Sequence, residues 1–528
     1  MSRRGGFVKQ AVILAGASLF VRLLGFFYRV PLTNLVRMEG INFYQTAYSV
    51  YMLALNLSSV YMIATVSRLV SERIALKQYR NAHMLFRSAM VFSMVLGIVG
   101  TAVLYFGAGF IIQIFSFPPE VIYSIRAISP AVFVVSMLTV FRGYFMGMKT
   151  STPTAISQVI EQIVNIAFSL WLAFLFFDAG VQYSAAGAAG GTAISTVAAL
   201  GVVGFVYLLV ARAIKKRAAE DTSETKETFF VQIKAIVKTA LPIVIGLTIL
   251  SVSGIMDLSM ANSRIYASGA FSQYEINDLI GMFVGVFILL TTLPVSLSMA
   301  LSSAVIPEIT SSQVTFDTDA VRQKTNQALR LSMIISIPSA VGIAVLADPI
   351  IMLLFPLAPY GGWLVRFGAV SIVFTAFVHI ITGVLQGAGH VRIPVIGIFF
   401  GVLVKFPVNY FLMAIPEINI LGAVISTIVC FIVAGSINTF LLHRFTGILP
   451  DLKNAFLKPS FAALGMGFVC FSSYSLLNLL TSNAIATLIA ITLGMGSYVM
   501  FMVLIKGFGE SDLNAFPLPA RVKRWLAL

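Results

Sequence analysis

The chain has 528 residues, 59% of them hydrophobic and only 10% charged, with a mean hydropathy of +0.95. So much apolar surface has no place in a water-soluble enzyme and implies an all-α polytopic membrane protein. The formal charge of +15 is not gathered into one patch but spread over short segments between apolar stretches, which argues against a nucleic-acid partner.

The chain opens on SRR and runs directly into an apolar segment with no small-residue cleavage site after it, so the segment reads as a first span rather than a removed signal. Stretches of spanning length fall at 7–32, 44–67, 84–107, 121–146, 155–177, 185–211, 235–260, 279–306, 326–347, 363–387, 394–414, 419–442, 457–479 and 483–505. They predict 14 transmembrane helices. Lysine and arginine then set the orientation. With the N-terminus inside, 28 of the 35 basic residues fall in cytoplasmic segments, among them Arg68, Arg142, Lys216, Lys226, Arg444, Arg521, Lys523 and Arg524. The outer loops hold only Arg37 and Arg264. Both termini are therefore expected in the cytoplasm. The polar stretch after span 6, beginning RAIKKRAAEDTSETKET at Arg212, reads as a charged cytoplasmic linker. Cys430 and Cys470 lie in apolar runs and read as packing residues.

The sequence repeats itself. At an offset of 240, Phe115 matches Phe355, Arg126 matches Arg366, Gly143 matches Gly383 and Gly147 matches Gly387. Ala64, Ser67 and Glu72 match Ala300, Ser303 and Glu308 at 236, and Arg87 matches Arg330 at 243. Spans 1–6 thus resemble spans 7–12. An even number of spans gives both halves one orientation, so a parallel repeat is expected. The expected organisation is an N-lobe over 1–211, a linker over 212–233, a C-lobe over 234–445, and two further spans with a cytoplasmic tail over 446–528.

Charges within the spans point to function. Arg22 and Arg29 lie in span 1, seven residues and roughly 10 Å apart on nearly the same helix side. A charge at bilayer depth costs about 3 kcal/mol and usually faces a watery, protein-lined cavity. Two such arginines suit an anion. Glu161 in span 5, Asp257 in span 7 and Lys405 in span 11 are the other ionisable residues singled out at depth, with Asn165 and Asn409 each four residues after the charge of its span. An Arg–Glu161 pair is expected in the first half and an Asp257–Lys405 pair in the second, either neutralising a cavity or stapling helices. Gln45, Gln158, Gln386, Asn56 and Asn165 offer hydrogen bonds to sugar hydroxyls or across helices. No Walker motif, catalytic triad or cofactor motif is present in the sequence, and no metal set. Three coupling routes stay open: proton uptake at Glu161, sodium at Asp257, and the membrane potential acting on these charges.

The run RGYFMGMKTSTPTAISQVIEQIVNI from Arg142 to Ile166, with LFVRLLGFFYRVPL from Leu19 and SRLVSERIALKQYRNA from Ser67, resembles the stage V sporulation protein B and lipid II flippase-like polysaccharide transporters. These belong to a superfamily that also contains multidrug extruders and oligosaccharide flippases. The resemblance implies two six-helix lobes around a central cavity, alternating access, and two extra C-terminal helices. It implies a polyprenyl-pyrophosphate-linked cell-wall precursor as substrate, flipped to the outer leaflet of a bacterial cytoplasmic membrane. It also places Arg22 and Arg29 on the anionic headgroup and sets Asp257 and Asn409 where some relatives bind sodium. Membrane lipid and cell-wall synthesis enzymes are the implied partners. Other readings are a flippase for a capsule or teichoic precursor, a multidrug cation antiporter, and a scaffold that recruits cell-wall or sporulation enzymes.

Overall fold

A bilayer offers no hydrogen bonds, so a chain this apolar has to satisfy its backbone internally, and helices do so segment by segment. The computed structural model describes residues 2–221, 227–314, 317–357 and 360–508. Lys226, Arg521, Lys523 and Arg524 lie outside the described residues, as do the side chains of Arg3, Arg4, Lys9 and Lys215. Among the described residues thirteen stretches are long and apolar enough to cross a membrane, and the first, Gly16–Ala75, runs through most of the first predicted span and all of the second. The chain is a multi-pass membrane protein.

Contacts divide it into two compact units, Met1–Ser263 and Arg264–Leu528. The first holds α1 (Ser2–Ser58), α2 (Val60–Ala75), α3 (Tyr79–Phe106), α4 (Ala108–Phe115), α5 (Val121–Ile128), α6 (Pro130–Gly147), α7 (Thr152–Leu175), α8 (Val181–Ala219) and nearly all of α9 (Phe229–Ala267). The second holds α10 (Gln273–Gly281), α11 (Ile288–Val314), α12 (Thr318–Val345), α13 (Ala347–Leu354), α14 (Gly362–Gly368), α15 (Ser371–Gly387), α16 (Ile393–Leu412), α17 (Leu421–Thr446), α18 (Leu452–Leu477) and α19 (Asn483–Leu504). The two units share one pattern: apolar side chains face outward and small or polar ones inward. On α3, Val91, Val95, Ile98 and Val103 are exposed, whereas Ser88, Ser93 and Gly97 are buried.

The expected outer loop between the first two spans is not a loop. α1 runs through it with one break at Arg37, whose backbone sits at φ 60°, ψ −177°. That region is almost reserved for glycine and costs a residue with a side chain about 1–3 kcal/mol.

Small residues set the helix spacing, and the repeat reuses them. A Cβ on Gly143 would stand 3.0 Å from Val66 Cβ, and one on Gly147 only 2.8 Å from Val70 Cβ and 2.9 Å from the Ser67 carbonyl oxygen. In the second unit Gly383 and Gly387 lie against Ser302 and Ile306, the counterparts of positions 66 and 70 at the offset of 236. The seam between α6 and α2 therefore recurs between α15 and α11.

The linker after α8 is docked to the first unit. Asp221 accepts a hydrogen bond from the Arg80 backbone N–H (2.7 Å) and so caps the start of α3. Glu227 pairs with the buried Arg73 at 2.7 Å. Gln232, fully buried, accepts from Ser88 Oγ (2.7 Å) and donates to the Asn81 carbonyl oxygen (3.3 Å). One turn on, Ile236 and Ala240 of α9 join the apolar core of α2, α3 and α6.

In the second unit α12, α15, α18 and α19 share a core. Pro338 lies inside α12 and has no N–H for the carbonyl of Ile334. The Tyr498 hydroxyl of α19 donates to that carbonyl at 3.0 Å. The proline and the tyrosine act as a pair.

Two substitutions check this packing by thermal unfolding of the purified protein. Gly147→Val is expected to lose about 2 kcal/mol through overpacking, whereas Gly109→Ala, with open space around its Cβ position, should be neutral or slightly stabilising. Tyr498→Phe leaves the Ile334 carbonyl without its donor and should lose about 2 kcal/mol. An unchanged midpoint in either Gly147→Val or Tyr498→Phe would refute the corresponding account.

Candidate functional site

The site grows from one row of residues on α7. Ser157, Glu161, Asn165 and Ser169 follow one another at four-residue steps, so they line up along one side of the helix. Each meets a partner on a neighbouring helix. Arg142 of α6 donates from Nε to Ser157 Oγ at 2.9 Å and from Nη2 to Glu161 Oε2 at 2.6 Å. Asn165 Oδ1 accepts from Ser169 Oγ (2.8 Å) and from Thr192 Oγ1 of α8 (3.1 Å). Thr192 in turn meets the Tyr44 hydroxyl of α1 at 3.5 Å. Ser169 also donates to the Ala188 carbonyl oxygen at 2.8 Å.

From the sequence, Glu161 is expected to pair with an arginine of span 1; the ion pair observed joins it to Arg142. Arg142 was counted with the cytoplasmic segments, yet it lies more than a turn inside α6, which ends at Gly147, and its buried side chain reaches Ser157 and Glu161 on α7. Its side chain is 9% exposed, against 28% for Glu161. Arg142 and Thr192 are functional-site residues that the sequence did not single out. The four-residue serine-to-serine row on α7 was the available signal.

α1 lies along the same helix. Ser18 Oγ donates to Gln158 Oε1 at 3.3 Å, and a Cβ on Gly25 would sit 3.7 Å from Gln162 Nε2. Arg22 is exposed and Arg29 half-buried. Arg29 stands close enough to Tyr48 for its charge to act on that hydroxyl, and Glu161 acts on the same hydroxyl. The rings of Tyr44, Tyr48 and Tyr51 follow one another at centroid distances of 6.1 and 5.7 Å. Gln45, between them in sequence, is half-buried and its carbonyl oxygen accepts from Ser49 Oγ at 2.9 Å. The first unit thus brings Arg29, Tyr48, Glu161, Asn165 and Arg142 into one polar neighbourhood, with Arg22 two turns before Arg29. Asn56 of α1 donates to Ser251 Oγ of α9 at 2.6 Å.

Asp257 belongs to the first unit, on α9, and is buried. Lys405 and Asn409 belong to the second, on α16, and both are buried. Asn409 Oδ1 accepts from Ser426 Oγ of α17 at 2.5 Å. Each unit therefore ties the asparagine of its fifth predicted span to a hydroxyl on the next helix. The rows diverge on their other steps: Gly397 and Gly401 precede Lys405 on α16, where α17 comes close enough for a Cβ on Gly401 to meet the Cys430 carbonyl oxygen at 2.6 Å. Among the described residues no group of three or more His, Cys, Asp or Glu could hold a metal ion.

Residues 7–313 match the polysaccharide biosynthesis protein family. The chain belongs to that family. Residues 279–411 of this polysaccharide biosynthesis family member also match the MatE family. Stage V sporulation protein B of Bacillus subtilis (strain 168) is 25% identical over 523 residues, 98% of either chain. The lipid II flippase MurJ of the same organism is 27% identical over 464 residues, 83% of either chain. Among solved structures, the lipid II flippase MurJ in an inward closed conformation superposes with a TM-score of 0.69 at 16% identity, covering 94% of this chain and 98% of that one. An inward-facing MATE family multidrug transporter gives 0.65 at 15% identity, covering 81% and 98%. The family member thus has the fold of flippases and transporters, and these relatives are not enzymes.

The ion pair makes an asymmetric prediction. Removing Glu161 strands a buried guanidinium, whereas removing Arg142 leaves a carboxylate that water can reach. Glu161→Ala should cost about 3 kcal/mol, and Arg142→Met clearly less. Thermal unfolding of both variants in detergent decides it; equal or reversed losses would remove the argument.

Proposed function

We propose that this protein is a flippase that moves a polyprenyl-pyrophosphate-linked cell-wall precursor, lipid II foremost, from the inner to the outer leaflet by alternating access. The observation that carries the reading is the pair Arg22 and Arg29 on α1, the helix that lies along α7, with Arg22 exposed and Arg29 half-buried. Two guanidiniums roughly 10 Å apart along a helix can hold a pyrophosphate and the sugar-proximal part of its headgroup. Tyr48, Gln45 and Asn165 supply hydroxyl and amide groups of the kind that recognise sugars. Buried Arg142 already neutralises Glu161, so that carboxylate does not cancel the charge offered by α1. The family match, and the MurJ relative named as a lipid II flippase, support the same substrate class.

Both termini are placed in the cytoplasm, following the distribution of lysine and arginine. With that orientation a membrane potential that is negative inside favours outward movement of an anionic headgroup. Coupling is assigned to the membrane potential acting on these charges, ahead of proton uptake at Glu161, whose carboxylate is paired with Arg142. A sodium site at Asp257 with Asn409 is the third route; Lys405, one turn before Asn409, opposes a cation there. A second reading is export of another polyprenyl-linked glycan, which the breadth of the polysaccharide biosynthesis family favours. Cell-wall synthesis enzymes are the proposed protein partners.

Complementation of a bacterial strain depleted of its lipid II flippase tests the proposal. The wild-type chain should restore growth. Arg22→Ala and Arg29→Ala should each lower flipping by about tenfold, the loss of one charge-assisted contact, while surface expression stays unchanged. Restored growth with Arg22→Ala at full rate would sink the headgroup role, and failure of the wild type alongside restored capsule export would favour the second reading.

A further inference from the structure

A cleft of about 460 Å³ opens in the first unit, lined by His83 and Arg87 of α3 and by Tyr207, Ala218 and Ala219 of α8. It is separate from the α7 row. His83 and Arg87 are one helical turn apart, so both side chains face the cleft from the same side. The two alanines opposite keep the space open. The floor is aromatic: Phe86 lies 5.1 Å from Tyr207 and 4.5 Å from Tyr144, ring centroid to centroid, and His83 stacks on Phe86 at 6.2 Å.

The lining is rich in donors and free of acid. A guanidinium, an imidazole and a phenol converge, and none of the five lining residues is Asp or Glu. Of the described acidic residues of the adjoining linker, Glu220 lies 4.0 Å from Lys216, Asp221 accepts from the Arg80 N–H and Glu227 pairs with Arg73. An aromatic floor shields one side from water and strengthens the attraction between the cations and an anion.

The repeat provides a second, independent observation. Arg330 is the counterpart of Arg87 in the second unit. Its Nη2 donates to the carbonyl oxygen of Gly507, just after α19. In the second unit, then, the guanidinium at this position already holds an oxygen acceptor, supplied by a segment that has no counterpart within the first half of the repeat. In the first unit the equivalent guanidinium opens onto the cleft.

We propose that this cleft binds a phosphate-bearing anion, with Arg87 and His83 on the phosphate oxygens and Tyr207 beside them. Its volume suits a phosphate with a small substituent. The phosphate comes either from an anionic lipid headgroup at the membrane surface or from solution, and two arms of one experiment distinguish them. In the first arm the full-length protein in phosphatidylcholine nanodiscs is titrated with inorganic phosphate and its unfolding midpoint followed. In the second, nanodiscs containing phosphatidylglycerol are used, and native mass spectrometry counts the lipids retained. Stabilisation by inorganic phosphate identifies a solution ligand; retention of a phosphatidylglycerol without a phosphate effect identifies a headgroup. In whichever arm binds, Arg87→Gln and Ala219→Glu should each weaken binding by about tenfold. Ala219 is exposed, so its variant places a carboxylate in the cleft without disturbing the core. Should Arg87→Gln lower the unliganded midpoint, Ala219→Glu decides alone. Binding in neither arm, or wild-type binding by Ala219→Glu, overturns the proposal.

Discussion

Hydrocarbon gives a polar group nothing to bond with, and this constraint orders the whole molecule. Backbone groups are satisfied within helices, and where a proline breaks the ladder a side chain from another helix repairs it, as Tyr498 does for Ile334. Polar side chains are driven inward by the same rule and must meet partners there. Serine, threonine and asparagine are buried beside an apolar core, while further valines and phenylalanines cover the outside. Glycine lets the helices approach closely, as Gly147 does between α6 and α2.

The two units use one plan and depart from it where their chemistry differs. Both set an asparagine of the fifth predicted span against a hydroxyl of the sixth. On α7 the steps before that asparagine are serine and glutamate, both held by Arg142. On α16 they are glycine and lysine, and the glycine draws α17 in against the backbone of Cys430. One row was kept polar and the other was closed by packing. The first unit, whose row stays polar, also carries the arginines of α1.

Much of this could be read from the chain, and the failures have a common cause. Membrane spans are runs of apolar residues, so their positions were visible, and the glycines of the repeat stood out because spacing preserves them. What sequence patterns do not carry is contact between residues far apart along the chain. Glu161 finds Arg142 nineteen residues back, on the preceding helix. The linker looked like a solvated charge run, yet Asp221, Glu227 and Gln232 meet partners some 140 to 155 residues upstream. Arg37 was legible as a charge between two spans, but not as the single residue at which α1 changes direction.

The fastening of the linker has a kinetic side. The chain is tied to the hairpin of α2 and α3 on both sides of residues 222–226, by Asp221 before them and by Glu227 after them. Glu227 stays near Arg73 even when their ion pair opens, because its backbone N–H donates to Asn81 Oδ1 at 3.3 Å and α9, two residues on, packs through Gln232 and Ile236 against the same hairpin. The pair therefore re-forms by a first-order step that dilution cannot slow, and added salt loosens the pair without releasing the segment.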